Sequence, residues 1–434
     1  MKPYPAYKPS GVPWLGKMPA HWESKAAKFL VTCNDDVLTE DVDPATEIVY
    51  VEIADVEEGQ GIKATTDMLF KDAPSRARRQ VKHGDIIVST VRTYLKAIAP
   101  VENPPDNLVV STGFAVLRPH GVSQGFAKYA FAESGFINTV IARSNGVSYP
   151  AINATDLVRI PIPVPPVEEQ QVIASYLDRE TARVDTLIAE KGRLIETLRE
   201  YRQATISEVV TQGLDSAAPK KPSGVPWLGG VPAHWSIEKL KFFVRFVGGG
   251  TPSKDNDEYW GGDIPWVSPK DMKRPRIDDT EDKITEDAVG SSACTMIATG
   301  AVLVVVRSGI LQHTIPIAIN DVPLVVNQDM KAIIPDERVQ SSFLAYQIQG
   351  CQRELREDWV KQGATVESVE QQRMADSRFA IPPLVEQQAI AAFLDRETAR
   401  IDTLVAHVRD EIKLLQELRS ATITDAVTGK IKVS

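Results

Sequence analysis

The chain repeats itself. Leu177–Leu187 reads LDRETARVDTL, and 217 positions later Leu394–Leu404 reads LDRETARIDTL, with Val184 replaced by Ile401. The same offset relates Ala204–Gln212 (ATISEVVTQ) to Ala421–Gly429 (ATITDAVTG). Upstream of each copy, PSGVPWLGKMPAHW from Pro9 is matched by PSGVPWLGGVPAHW from Pro222. A sequence of this kind is two copies of one structural plan, so function resides in what distinguishes the copies.

The repeated core reads as helix. Pro165-Pro166 and Pro382-Pro383 precede it, and Glu168, Glu169 and Glu386 fall in the first turn, where a helix favours negative charge. Apolar residues follow at spacings of three and four: Ile173, Leu177, Val184, Leu187, Leu194, Leu198 and Tyr201, then Ile390, Leu394, Ile401, Leu404, Val408, Leu415 and Leu418. This is close to a heptad seam with polar breaks at Glu180, Lys191, Glu397 and Glu411. Val167–Gln212 contains no Pro and one Gly, Gly192, and Gly213 and Gly429 stand where the pattern stops. At about 1.5 Å per residue such a helix is roughly 70 Å long. Its apolar stripe needs a partner, and the other copy supplies one. The spacing predicts two long helices paired antiparallel within the chain, through Leu177, Val184, Leu187, Leu194 and Leu198 on one and Leu394, Ile401, Leu404, Leu415 and Leu418 on the other.

With 434 residues there is room for two domains and a connector. The segments are 1–165, a long helix over 166–214, a polar linker at 215–221, a second domain over 222–381 and a second long helix over 382–434. The three cysteines, Cys33, Cys294 and Cys351, lack metal spacing and suit a reducing cytoplasm as buried thiols. Met1-Lys2 leads into Pro and Tyr rather than an apolar run, so no secretory signal is visible. The longest apolar run, Ala301–Val306, is far too short to span a membrane.

Within each copy the pattern between tryptophan segment and long helix is α+β. The segment itself, with Trp14 and Trp22, is expected to pack against a helix end. Ile48–Ile53, Asp85–Val91 and Leu108–Leu117 read as strands and Phe126–Ile141 as helix, followed by a Gly-containing turn at Ser144–Tyr149. The second copy has strands at Ala301–Arg307 and Leu324–Ile334 and a helix at Ser342–Glu357. Gly84–Arg92 (GDIIVSTVR) and Gly300–Arg307 (GAVLVVVR) look equivalent, and Gly146 aligns with Gly363. Elsewhere the inserts diverge while the helices and tryptophan segments stay nearly identical. A symmetric frame with two different inserts suits a scaffold that binds one identical partner twice and presents two reading surfaces.

Catalytic constellations are not apparent. Asn103-Pro104-Pro105-Asp106 resembles the Asn-Pro-Pro-aromatic loop of DNA adenine methyltransferases, but Asp106 stands where the base-stacking aromatic belongs. Gly248-Gly249-Gly250 lacks the strand–loop–helix context and the following Lys of a phosphate loop, and reads as a turn. The six histidines are dispersed without metal spacing. The net charge of −9 argues against a simple nucleic-acid coat, but the total conceals local contrast. Between Arg76 and Lys96 lie six basic residues and one acid, Asp85. Arg76, Arg78, Arg79 and Lys82 suit phosphate neutralisation, and Arg92, Tyr94 and Lys96 follow a strand from which they can reach bases or sugar. Arg143 and Asn145 flank the turn beyond. In the second insert Thr251, Ser253, Lys254, Tyr259, Trp260, Lys270, Lys273, Arg274, Arg276, Arg307 and Lys361 mix hydroxyl, aromatic and basic groups.

Together these stretches resemble the specificity (S, HsdS) subunit of type I restriction–modification systems. GTPSKDNDEYWGGDIPWVSPKDM (Gly250–Met272), VLVVVRSGILQHTIPIAI (Val302–Ile319) and VNQDMKAI (Val326–Ile333) are similar to that family's target-recognition domains, as are GDIIVSTVRTYL (Gly84–Leu95) and STGFAVLRP (Ser111–Pro119). SGVPWLGxxPAHW, PPxxEQ and LDRETARxD are similar to its repeated regions. The resemblance implies two globular mixed α/β target-recognition domains joined by two long antiparallel coiled-coil helices, with internal pseudo-twofold symmetry. It implies a non-catalytic subunit in a bacterial or archaeal cytoplasm, reading half of a bipartite, asymmetric site in double-stranded DNA with each domain. The helices would act as a ruler and dock two methyltransferase (M, HsdM) subunits, which bind S-adenosylmethionine and N6-methylate a flipped adenine. Restriction (R, HsdR) subunits with ATP and Mg²⁺ would add translocation and cleavage. This chain would itself hold no cofactor or metal. A pseudo-twofold protein on one DNA face favours half-sites about one helical turn, roughly 34 Å, apart. An acidic chain is expected to bind DNA weakly alone. The competing expectation is a coiled-coil assembly scaffold, or an orphan subunit, that does not read DNA.

Overall fold

The computed structural model describes residues 2–291, 294–361 and 366–433. Gly363 lies outside them. The chain divides into two compact units, Met1–Gly192 with Arg409–Ser434, and Arg193–Val408. Each long helix, Val167–Gln212 and Leu384–Val427, therefore begins in one unit and ends in the other.

In the first unit an antiparallel sheet runs Ile98–Pro100, Ile86–Ser89, Phe114–Pro119, Val31–Cys33. A second sheet runs Thr66–Leu69, Glu47–Val51, Leu108–Ser111, Ala77–Gln80, with Leu108–Ser111 parallel to Glu47–Val51. The second unit repeats the first sheet as Ile317–Asn320, Val302–Val305, Met330–Pro335, Val244–Gly248, with Arg276–Ile277 added at the edge. Ile86–Ser89 and Val302–Val305 thus hold the same interior place, which explains their unbroken apolar runs. Both strands are buried throughout.

Several expected elements are split. Leu108–Leu117 is two strands, because Thr112 and Gly113 turn between them; a Cβ at Gly113 would lie 2.7 Å from Ile53 Cδ1. Phe126–Ile141 is two helices, Gln124–Phe131 and Ser134–Ala142, the second capped by the Glu133 carboxylate accepting from the Gly135 and Phe136 amides. Ser342–Glu357 breaks at Cys351 into Ser341–Gly350 and Gln352–Trp359. Leu324–Ile334 breaks into Val325–Val326 and Met330–Pro335, where the Asn327 carboxamide accepts from the Asp329 amide. At Glu133 and Asn327 apolar periodicity continues through a turn that local hydrogen bonding imposes.

The two long helices pair antiparallel in both units. Asp185 meets Arg419 (2.8 Å) and Lys191 meets Glu411 (2.5 Å) in the first, and Arg202 meets Asp402 (3.1 Å) in the second. As position climbs along one helix it falls along the other. The seam departs from the expected heptad. Leu194, Tyr201, Leu404 and Leu418 are exposed, and Leu187, Leu198 and Leu415 are half-buried. Residues buried off the heptad include Thr181, Ile195 and Ile206, and Thr398, Val405 and Ile423, with Ile188 and Ile412 half-buried between them. From Ile173 to Ile206 the inward positions recur about every 3.6–3.7 residues, the period of straight helices rather than of a left-handed supercoil. A heptad drifts off this stripe and falls one residue early, on Leu187, Leu194 and Leu404.

The tryptophan segments clasp the helix starts. Trp22 is fully buried, and its Nε1 donates to Glu169 (2.9 Å), which also accepts from Tyr4 (3.0 Å) and contacts His21 (2.5 Å). Trp235 and His234 meet Glu386 at 3.1 and 2.7 Å. Each segment also covers the end of a long helix: a Cβ at Gly429 would strike Pro19 and Trp22, and one at Gly213 would crowd Trp235. Burial pushes the Glu169 carboxyl up, but hydrogen bonds from Trp22, His21 and Tyr4 outweigh it and hold the group below its ordinary value. Stability from this anchor is therefore full above the ordinary carboxylate range and lost as pH falls through the depressed folded value. Glu169→Gln is expected to destabilise the first unit by about 1 kcal/mol near neutral pH. Thermal unfolding across pH checks this: the gap to wild type closes on acidification below about pH 4, and a gap constant with pH contradicts it.

Candidate nucleic-acid interface

In the first unit the predicted basic residues separate into two groups. Arg76, Arg78 and Arg79 lie on or beside Ala77–Gln80, and the fold uses them. Arg76 bonds the Tyr50 hydroxyl (3.3 Å) and Glu52 (2.6 Å). Arg78 lies over the Phe70 ring at 4.8 Å. Arg79 is half-buried, bonded to the Asn34 side chain, and burial draws its guanidinium below its usual pKa. Lys82 pairs with Asp36 (2.7 Å), which also holds Arg118, the partner of buried Asp85.

The second group comes together on a loop pair. Past the interior strand Ile86–Ser89 the chain turns through Arg92 and a 3₁₀ turn, Thr93–Leu95, to Lys96. Opposite it runs 143–151, closed on itself by the bridge Asn145↔Ala151 and joined across by the bridge Val91↔Ala151, by the Arg92 amide donating to Pro150 O (2.8 Å), and by Thr93 Oγ1 bonding Ser144 Oγ (2.8 Å). Tyr94, Arg143, Asn145, Val147 and Tyr149 are exposed here. Arg92 lies over the Tyr149 ring at 4.9 Å, and Lys96 pairs with Glu58 (3.0 Å). Arg92 and Lys96 have φ of 53° and 51°, left-handed conformations that cost a non-glycine residue energy and cluster at functional sites. Sequence places Val147 and Tyr149 only in a turn; the exposed aromatic that meets the strand-end arginine is what marks them.

The second unit builds the same loop pair from different residues. Past Val302–Val305 come Arg307 and the 3₁₀ turn Gly309–Gln312, joined to 366–369 by the bridge Arg307↔Ser368, and Val369 in turn bridges to Val360. Lys361 is exposed beside it. Arg307, however, is paired with Asp329 at 3.1 Å. The other candidates are spread over the insert. Thr251 bonds Gln328, Lys270 bonds Asp282 (2.9 Å), Arg274 bonds Asp278 (3.2 Å) and Arg276 chelates Asp321. Tyr259 and Trp260 are half-buried on the small core of Trp266, Ile284 and Val325, with Trp260 Nε1 donating to Ser253 O (3.1 Å). Ser253, Lys254 and Lys273 are exposed, and neither lysine makes an ion pair among the described residues.

The repeated motif ties each insert to its helix. Tyr129 donates to Asp178 (2.7 Å) and Tyr346 to Asp395 (2.7 Å), with Thr181 and Thr398 beside them; burial pushes both phenols up to about 12. Leu177 and Leu394 are wholly buried. Gln171, Arg179, Arg183 and Thr186 face outward, as do Gln388, Arg396, Arg400 and Thr403. Neither the core nor the seam explains why these eight are the same in both copies. Among the described residues no helix is long and apolar enough to cross a membrane.

Two inserts on one repeated scaffold, each ending in an exposed loop pair, define a duplicated recognition protein. The type I restriction modification DNA specificity domain matches residues 46–197 and 232–414, and the chain belongs to that family. It is 32% identical over 265 residues to the EcoR124I/EcoR124II specificity subunit of Escherichia coli, covering 60% of each chain. It is 22% identical to the MjaX specificity subunit of Methanocaldococcus jannaschii over 96% of each. The chain thus spans about 60% of the length of the first relative. Its fold is similar to that of a chain from a study of complex assembly and conformational transition of the type I R-M system (TM-score 0.76, 22% identity, 95% of this chain and 99% of that one). It is also similar to the HsdS subunit of Thermoanaerobacter tengcongensis (TM-score 0.53, 23% identity, 95% and 98%).

Proposed function

We propose that this chain is the DNA-recognition subunit of a type I restriction–modification complex and that its two inserts read the two halves of a bipartite, asymmetric site. The observation that carries this reading is the loop pair built twice at the same place in the fold from different side chains: Arg92, Tyr94 and Tyr149 in one unit, and in the other Ser308, Lys361 and an Arg307 that Asp329 holds. Equal scaffolds with unequal tips suit an asymmetric target. The outward residues common to both long helices support docking of one kind of partner twice. That partner is the methyltransferase (HsdM) subunit, with S-adenosylmethionine as its cofactor. Restriction (HsdR) subunits, with ATP and Mg²⁺, join the same assembly. The chemistry belongs to the partners, and this chain selects where it occurs. Mapping N6-methyladenine across the host genome, with the chain's gene intact and deleted, tests the reading. Methylation at one bipartite motif is expected to vanish on deletion; an unchanged map contradicts it and favours an assembly scaffold.

A further inference from the structure

We infer that the first unit reads a guanine through Arg92, presented on the ring of Tyr149. This rests on the DNA-recognition reading above and assigns one base contact within it. Arg76, Lys82 and Lys96 are held in ion pairs, and Arg79 is half-buried against Asn34. Arg92 makes no ion pair among the described residues; its recorded side-chain contact is the Tyr149 ring at 4.9 Å. Stacking engages the flat face of a guanidinium and leaves the N–H edges free, and those edges match the O6 and N7 acceptors of guanine in the major groove.

The backbone is fixed to suit. Arg92 is left-handed at φ 53°, with its amide on Pro150 O (2.8 Å) and its carbonyl accepting from Leu95 N (2.9 Å). The buried Thr93 is tied to Ser144. A strained, doubly anchored residue at the end of a buried strand gives a long side chain a defined origin, and the Tyr149 ring gives its head a defined plane. The second unit lacks this arrangement: the place of Arg92 is taken by Ser308, whose amide donates to Glu367 O (3.1 Å) and whose carbonyl accepts from Leu311 N (3.1 Å), and the neighbouring Arg307 is held by Asp329. The two loop pairs therefore read different bases at corresponding positions.

The test uses the full chain in complex with the modification subunits of its system, selected against a randomised duplex DNA pool. Each guanine of the selected motif is then replaced by 7-deazaguanine, which lacks the N7 acceptor. With wild-type protein, one guanine in one half-site is expected to weaken binding about tenfold when so replaced. Arg92→Met, which has no donor for O6 or N7, is expected to lose a similar factor on unmodified DNA and to be indifferent to that replacement. A wild-type complex that selects a bipartite motif but tolerates 7-deazaguanine throughout overturns the assignment of Arg92 alone, as does an Arg92→Met complex that senses the replacement as wild type does. A wild-type complex that selects no sequence overturns the DNA-recognition reading with it.

Discussion

Removing four residues from each long helix, 189–192 and 410–413, is expected to bring the recognised half-sites closer by about one to two base pairs. Four helical residues span about 6 Å, and a base pair rises about 3.4 Å. The two deleted segments belong to the stretch where Lys191 meets Glu411, so the antiparallel register on either side is kept. The seam also survives, since Ile188 and Ile195 fall three apart after the deletion, as do Val408 and Leu415. Two-residue deletions rotate the following segments by about 200°, bring polar positions onto the seam, and are expected to give protein that does not pair its helices. Sequencing methylated adenines in cells that carry the shortened chain reads the spacer directly. Retention of the parental spacer would mean that helix length does not set it.

Leu394→Ala is expected to cost about 2–5 kcal/mol, and Leu194→Ala about 0.5 kcal/mol or less. Both are leucines on the apolar pattern of a long helix, and sequence spacing alone ranks them together. Leu394 is wholly buried where the helix meets the core of the second unit, whereas Leu194 is 44% exposed. Leu177→Ala and Leu418→Ala form the corresponding pair, buried and 52% exposed. Urea unfolding of the four variants separates the two accounts of the seam. Similar losses from all four would restore the heptad and contradict the straight-helix stripe.

The helix bounds were legible because several signals coincide there: paired prolines and acidic first turns at the start, apolar recurrence through the body, and Gly213 and Gly429 at positive φ past the ends. The seam's phase was not, because Thr181, Lys191 and Arg202 occupy inward positions through hydrogen bonds and ion pairs that a count of apolar residues passes over. The interior strands were found from their apolar runs, but the turns that split their neighbours depend on single side chains such as Glu133 and Asn327. At the interface, counting basic residues gave Arg76 and Arg79 the same weight as Arg92. Whether an arginine is spent on Glu52, on Asn34 or on an exposed tyrosine is a matter of tertiary contact, and sequence position does not carry it.

On the proposed reading, two unlike inserts on one repeated scaffold each read one half of a divided site. Exchanging residues 31–155 for the corresponding insert of another member of the family, and then mapping methylated adenines, tests it most directly. The account predicts a motif in which one half is replaced by the donor's half-site while the other half and the spacer are retained. A chimera whose two halves both change, or neither, would contradict it.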